Sequence, residues 1–193
     1  MLPCSRKEKG ATAVELALTL PVFFIFVFGI IELARAMYIC NTLQEVTRQA
    51  AALAVHTDFS DAAAMQRVRE KAVFRDSPGL LAFADPVTDE YVKIDYLYIP
   101  PTGNAPQPIT GALPANPAAN LQTCTKNPYD SSCIRLVRVR ICVPGGDRNS
   151  CAPVPYKTLT SYMGLPFELP ISTTIAQVET LGLPPGVPLP CGC

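Results

Sequence analysis

Glu15 stands five positions after Gly10, at the head of the charge-free run Leu16–Ile31, LALTLPVFFIFVFGII. A carboxylate at the edge of so apolar a stretch costs several kcal/mol to bury unless it is paired. Arg6, Lys7 and Lys9 precede it, against one acid, Glu8. The second chemical group is sulfur. Of 8 cysteines, Cys124, Cys133, Cys142, Cys151, Cys191 and Cys193 crowd the C-terminal third, while Cys4 and Cys40 stand apart. No pair has CxxC spacing, which argues against a zinc ribbon or a thioredoxin-like site. The third group is Arg135, Arg138 and Arg140. They resemble a phosphate-binding row, but a solvated strand face is the expectation for such a charge run. His56 is the single histidine, with no triad or metal companion in view. Gly145-Gly146 sits in a turn without the lysine of a phosphate-binding loop. No nucleophile–base pair and no metal cluster is visible, so neither an enzyme nor a metal or cofactor is expected. Formal net charge is +0, which gives no electrostatic case for nucleic-acid binding.

The apolar run implies a membrane. Extended through Ala11–Val14 and Leu33–Ala36 it reaches about 25 residues, enough to cross a bilayer. Glu15 and Glu32 are the exceptions inside that window. Basic residues upstream predict a cytoplasmic N-terminus and export of everything that follows. Pro21 and Gly29 are tolerated in a membrane helix. A secretory signal peptide is the competing reading, since Ala34-Arg35-Ala36 offers an A-x-A cleavage site. Against it, the apolar core is long for a signal peptide and Glu15 has no place in one.

Residues 5–21, SRKEKG-ATAVELALTLP, have the type IV prepilin order: basic leader, Gly, four residues, Glu, apolar helix. The run GATAVELALTLP, with the later GIIELARAMY, closely resembles the TadE-like family of the tight-adherence (Flp) pilus system. The resemblance is strongest over residues 9–55; Leu16 stands where many members carry Phe or Tyr. It implies a minor pilin or pseudopilin, cut between Gly10 and Ala11 by a prepilin peptidase that takes the side-chain-free glycine in extended form. The mature chain would span the bacterial inner membrane once, with its C-terminal domain periplasmic, pilus-associated or at the cell surface. Its partners would be other pilins and the assembly machinery, met by helix–helix packing. Cleavage frees an ammonium on Ala11, with a reference pKa near 8. Glu15, one helical turn along, can pair with it in the same subunit or a neighbour. In related pilins this pairing sets the stagger of packed helices, and a desolvated pair specifies register more than it stabilises. The alternatives are that Glu15 snorkels to headgroups, that the chain is a secreted disulfide-rich binding protein released after Ala36, or that it is an uncleaved anchor. The mature N-terminus separates these: Ala11, Met37 or Met1.

The elements that must position these residues follow from periodicity. Ile39, Leu43, Val46, Ala50 and Leu53 form a narrow seam opposite Asn41, Gln44, Glu45, Arg48 and Gln49. One helix is therefore predicted from Thr12 to His56, roughly 65 Å long. A second is predicted over Asp61–Arg75, capped by Ser60 and closed by Asp76-Ser77-Pro78-Gly79. Ala64, Met65, Val68 and Ala72 form its stripe. Tyr91–Ile99 and Ile134–Val143 read as strands, with Leu136-Val137 hinting at a bulge or an edge. Residues 100–123 carry too much Pro, Gly and Asn for regular structure. Thr158–Tyr162 reads as a short helix or turn, Ile171–Leu181 as the last strand, and Gly182–Cys193 as irregular. The expected class is α+β: a long N-terminal helix, half transmembrane and half amphipathic, packed against a small antiparallel sheet. The organisation is a leader over 1–10, a membrane segment over 11–36, a helical stalk and second helix over 37–76, and a disulfide-bearing β region with Pro-rich loops over 77–193.

Six thiols downstream of a membrane segment point to disulfides in an oxidising compartment. Cys133 and Cys142 bracket a strand of roughly 30 Å, beyond disulfide reach. TKNPYDSS and VPGGDRNS are turn-rich, so Cys124–Cys133 and Cys142–Cys151 are the first choices, each stabilising by ~2–3 kcal/mol in the chain-entropy model. Cys191 and Cys193 could pair with each other, with the rest of the domain or with another subunit. Cys40 would be the odd thiol of the mature chain, or simply a small apolar residue.

Overall fold

The computed structural model describes residues 9–103, 105–146, 150–159 and 167–183. The side chains of Lys9 and Ala11 are outside that description, as are Cys4, Cys191, Cys193 and most of the segment 158–162. The chain divides into two compact units, Met1–Tyr38 and Ile39–Cys193.

The first unit is helical throughout its described residues, within α1, Lys9–Ala54. Helix propensity alone does not account for it, because Phe, Val and Ile are indifferent helix formers in water. An apolar solvent changes this, since every backbone polar group must then be satisfied internally. The side chains agree: Leu18, Ile25, Phe26 and Ile30 all point outward and none is even half covered. The helix is long and apolar enough to cross a membrane. Pro21 lies inside it, and Thr19 turns its hydroxyl back to the Glu15 carbonyl at 3.0 Å.

In the second unit the amphipathic pattern becomes a packed face. Ile39, Leu43, Val46 and Ala50 are buried, joined by Ala51 and Ala54, while Asn41, Gln44, Glu45 and Arg48 are exposed. Helix α2 is Ala62–Ala72, shorter than expected at its C-terminal end. Its cap is Asp61, not Ser60: the Asp61 carboxylate accepts from the amides of Ala63 and Ala64 at 2.9 and 3.0 Å. Asp58 has already engaged Ser60, whose amide and hydroxyl both donate to its Oδ1. Met65, Val68 and Ala72 are buried as the stripe requires.

The sheet is antiparallel throughout, in the order β2-β1-β3-β4. Its strands are β1 Val92–Tyr98, β2 Gln107–Pro108, β3 Leu136–Ile141 and β4 Thr173–Gln177. The fold is thus α+β, as the patterning implied. The hint of a bulge at Leu136-Val137 is not realised. β3 is a central strand in unbroken register with β1, with Leu136 opposite Leu97 and Val137 opposite Tyr96. β4 is shorter than Ile171–Leu181 because the chain leaves the ladder after Val178 and turns through Leu181 and Gly182, both at positive φ. A Cβ on Gly182 would sit 2.6 Å from the Asp58 amide nitrogen, so only glycine fits there.

The main correction concerns 100–123. That stretch holds β2 and the start of a ten-residue helix, α3, Pro117–Lys126. The same Asn and Pro that read as loop punctuation form its start: Asn116 caps the Ala119 amide at 2.8 Å and Pro117 occupies the first turn. Buried Asn120 holds the helix down. It donates to the Ile134 carbonyl and accepts from the Ile134 amide.

Candidate processing and assembly site

Gly10 is helical and exposed, and a Cβ built on it would meet no heavy atom within 4 Å. Packing within the chain therefore gives no reason for glycine at this position. A helix interior disfavours it by roughly 1 kcal/mol against alanine. Glu15 is exposed, and the four-residue step from Ala11 carries it roughly 6 Å along the axis. Its backbone carbonyl is taken by Thr19. The carboxylate thus stands on the outer surface of the helix, between Thr12 one turn before and Thr19 one turn after, available to a group at the helix start or on an adjacent helix.

Glu32, the second acid of the apolar window, is buried and pairs with Arg35 one turn on, at 3.4 Å. Sequence reasoning noted Glu32 without assigning it a partner. The signal was the i, i+3 spacing of opposite charges on one helix face. Arg35 is also the middle residue of Ala34-Arg35-Ala36, which is wholly helical here.

Among the described residues of the second unit the cysteine pairs are Cys124–Cys133 and Cys142–Cys151, with Cα separations of 5.1 and 5.0 Å. The first ties α3 to the entrance of β3; the second closes the loop after β3. Cys40 is a half-buried free thiol. His56 faces Glu179 at 3.6 Å with both side chains exposed, at the end of α1. Among the described residues no group of three or more His, Cys, Asp or Glu could hold a metal ion.

The arginine row is not a solvated face. Arg138 and Arg140 share one side of β3, and both close on Asp95 of β1, which stands opposite Arg138. Asp95 Oδ2 accepts from Arg138 Nε and Nη2 at 3.2 and 3.0 Å and from Arg140 Nε and Nη2 at 3.0 and 2.6 Å. The three side chains are only 9%, 20% and 11% exposed, in the order Asp95, Arg138, Arg140. Arg135 precedes the strand and does not join them. Antiparallel pairing makes this cluster, so it was visible only once Asp95 was known to face Arg138.

Residues 10–52 match the family model described as TadE-like protein. The match begins at Gly10, includes Glu15 and Glu32, and ends within the amphipathic part of α1. It is the family that GATAVELALTLP and GIIELARAMY resemble. No curated protein and no solved structure matches the chain. The TadE-like match lies wholly within α1.

Proposed function

We propose that this chain is a minor pilin or pseudopilin of the tight-adherence pilus system. It is cut between Gly10 and Ala11 by a prepilin peptidase and held by α1 in the bacterial inner membrane. The disulfide-bearing domain is periplasmic, and the chain acts by packing its helix against those of other pilus subunits rather than by catalysis. The observation that carries this reading is the TadE-like match starting at the Gly10–Glu15 spacing, on a helix apolar enough to span a bilayer. One further fact supports it. A Cβ on Gly10 would meet no heavy atom within 4 Å, which suits a residue kept for a peptidase.

The test is the N-terminus of the chain recovered from cells that contain the cognate prepilin peptidase. Ala11 as first residue is expected, and Gly10→Val should leave the leader attached. A first residue of Met37 would replace this reading with secretion. Loss of the leader from Gly10→Val would mean that the cleavage site is misassigned.

A further inference from the structure

The two edges of the sheet are unlike. The β2 edge is two residues long and includes Pro108, which has no amide to offer. Short, proline-bearing edges are how proteins discourage strand addition. β4 carries no such protection. Its five residues, Thr-Thr-Ile-Ala-Gln, contain no charge and no proline, and the central three include two β-branched side chains. Its register shows which backbone groups are spent. The Ile141 amide donates to Ser172 O and the Val178 amide to Arg135 O, so Ser172, Thr174, Ala176 and Val178 face β3. Thr173, Ile175 and Gln177 direct their amides and carbonyls away from the sheet. These three are also the exposed residues of the strand, Ile175 at 50%.

A second copy of this chain is a poor occupant. Thr47 of α1 touches Ser172 and Thr174, while Val55, just past the end of α1, accepts from Leu181, so the 39–54 helix runs in the same direction as β4. Antiparallel pairing of two β4 strands would reverse one copy relative to the other, and the chains would enter their domains from opposite sides. Copies rooted in one membrane enter from one side. Pairing β4 with the β2 edge of the next copy keeps the direction but meets Pro108.

We infer that the outer edge of β4 receives one extended strand from a different protein, added to the sheet through the backbone groups of Thr173, Ile175 and Gln177. Main-chain hydrogen bonds would carry the affinity and alternate side chains the selectivity. The chemistry of that segment follows from its surroundings. Beside Ile175 it presents an apolar or β-branched side chain. On the outer face, behind β4, Arg138 and Arg140 converge on the Asp95 carboxylate, and Lys93, opposite Arg140, donates to the Ser150 carbonyl at 2.8 Å. An uncharged, apolar strand is favoured beside Ile175. The inference rests on the membrane-anchored reading only in requiring a common side of entry.

The test uses the full-length chain in its own cells, with a photo-crosslinking residue at Thr173 or Gln177. Two variants probe the edge. Ile175→Pro deletes an outward amide and leaves the β3–β4 ladder whole, and Ile175→Lys keeps the amide but adds an edge charge. The expected product joins this chain to a different protein from both positions, and each variant reduces it about tenfold, which for Ile175→Pro is the scale of one lost backbone hydrogen bond. Disulfide mapping of the same samples checks that the domain is intact. A product of twice the chain's mass, no product from either position, or a product that neither variant reduces would each overturn the inference. The N-terminus of the crosslinked chain reports separately on the processing proposed above.

Discussion

Asp95 is the residue on which the sheet's outer face depends. Two guanidinium groups converge on one of its oxygens, and all three side chains are largely removed from water. Removing one partner of a buried ionic group leaves the others uncompensated, whereas removing the whole group can be neutral. Asp95→Ala is therefore expected to cost about 3–5 kcal/mol in denaturant unfolding. Asp95→Ala combined with Arg138→Met and Arg140→Met should recover most of that loss; if the triple variant is no more stable than the single one, the cluster is not a unit. Tyr96 lies on the opposite face, half-buried, its hydroxyl near the Met65 sulfur and its ring against Phe59. Burial pushes its phenol well above the ordinary value of 10.0, with Arg69 opposing and Asp58 adding to the shift. A raised folded pKa means the protonated form is the one the fold favours. Its contribution is complete below pH 10.0 and is lost as pH rises beyond that. Tyr96→Phe should leave neutral stability nearly unchanged and flatten the alkaline limb of a stability–pH profile. An unchanged limb would mean that Tyr96 does not govern it.

Among the elements, those with strong periodicity were legible. The seam Ile39–Leu43–Val46–Ala50 is buried, and the alternation in β1 and β3 became an antiparallel pair. The α3 helix was hidden because ten residues starting Pro-Ala, after an Asn cap and a Pro/Gly-rich loop, have little amphipathic signal of their own. What holds α3 is non-local: Asn120 binds both backbone groups of Ile134 and Cys124 is bonded to Cys133. Ser60 and Asp61 are both good caps by residue type, and sequence alone does not tell which of the two oxygens another side chain claims. Asn120→Ala should therefore cost about 1–3 kcal/mol, the penalty for leaving buried groups unsatisfied. Loss of protection should concentrate at Ile134 and in α3 when amide exchange is followed residue by residue. Loss spread evenly over the sheet would show that α3 is not held separately through Asn120.

At the scale of the whole molecule, the chain joins a helix suited to lipid to a domain stapled by two disulfides, and the two make different demands on Glu15. Among the described residues, nothing that builds the sheet or its core involves it. Membrane insertion does not need it either, since a carboxylate within the apolar window is a cost to partitioning. Under the processing proposed above, its use would be recognition, by an ammonium freed at Ala11 or by an adjacent helix. Glu15→Val is accordingly expected to leave the protein in the membrane fraction, with both disulfides formed and the leader removed, because the peptidase reads mainly the Gly10 side. What should fail is association. An ammonium left without its partner at the bilayer edge costs several kcal/mol, and a helix that has lost its register mark packs in several staggers instead of one. Co-purification of the mature chain with other pilus components, wild type against variant, is the measurement, with piliation scored in the same strains. A fall in recovered partners of at least tenfold, about 1.4 kcal/mol or more, is the expected outcome. Equal recovery and equal piliation would mean that Glu15 only snorkels, so that the pairing argument fails while the anchor itself stands.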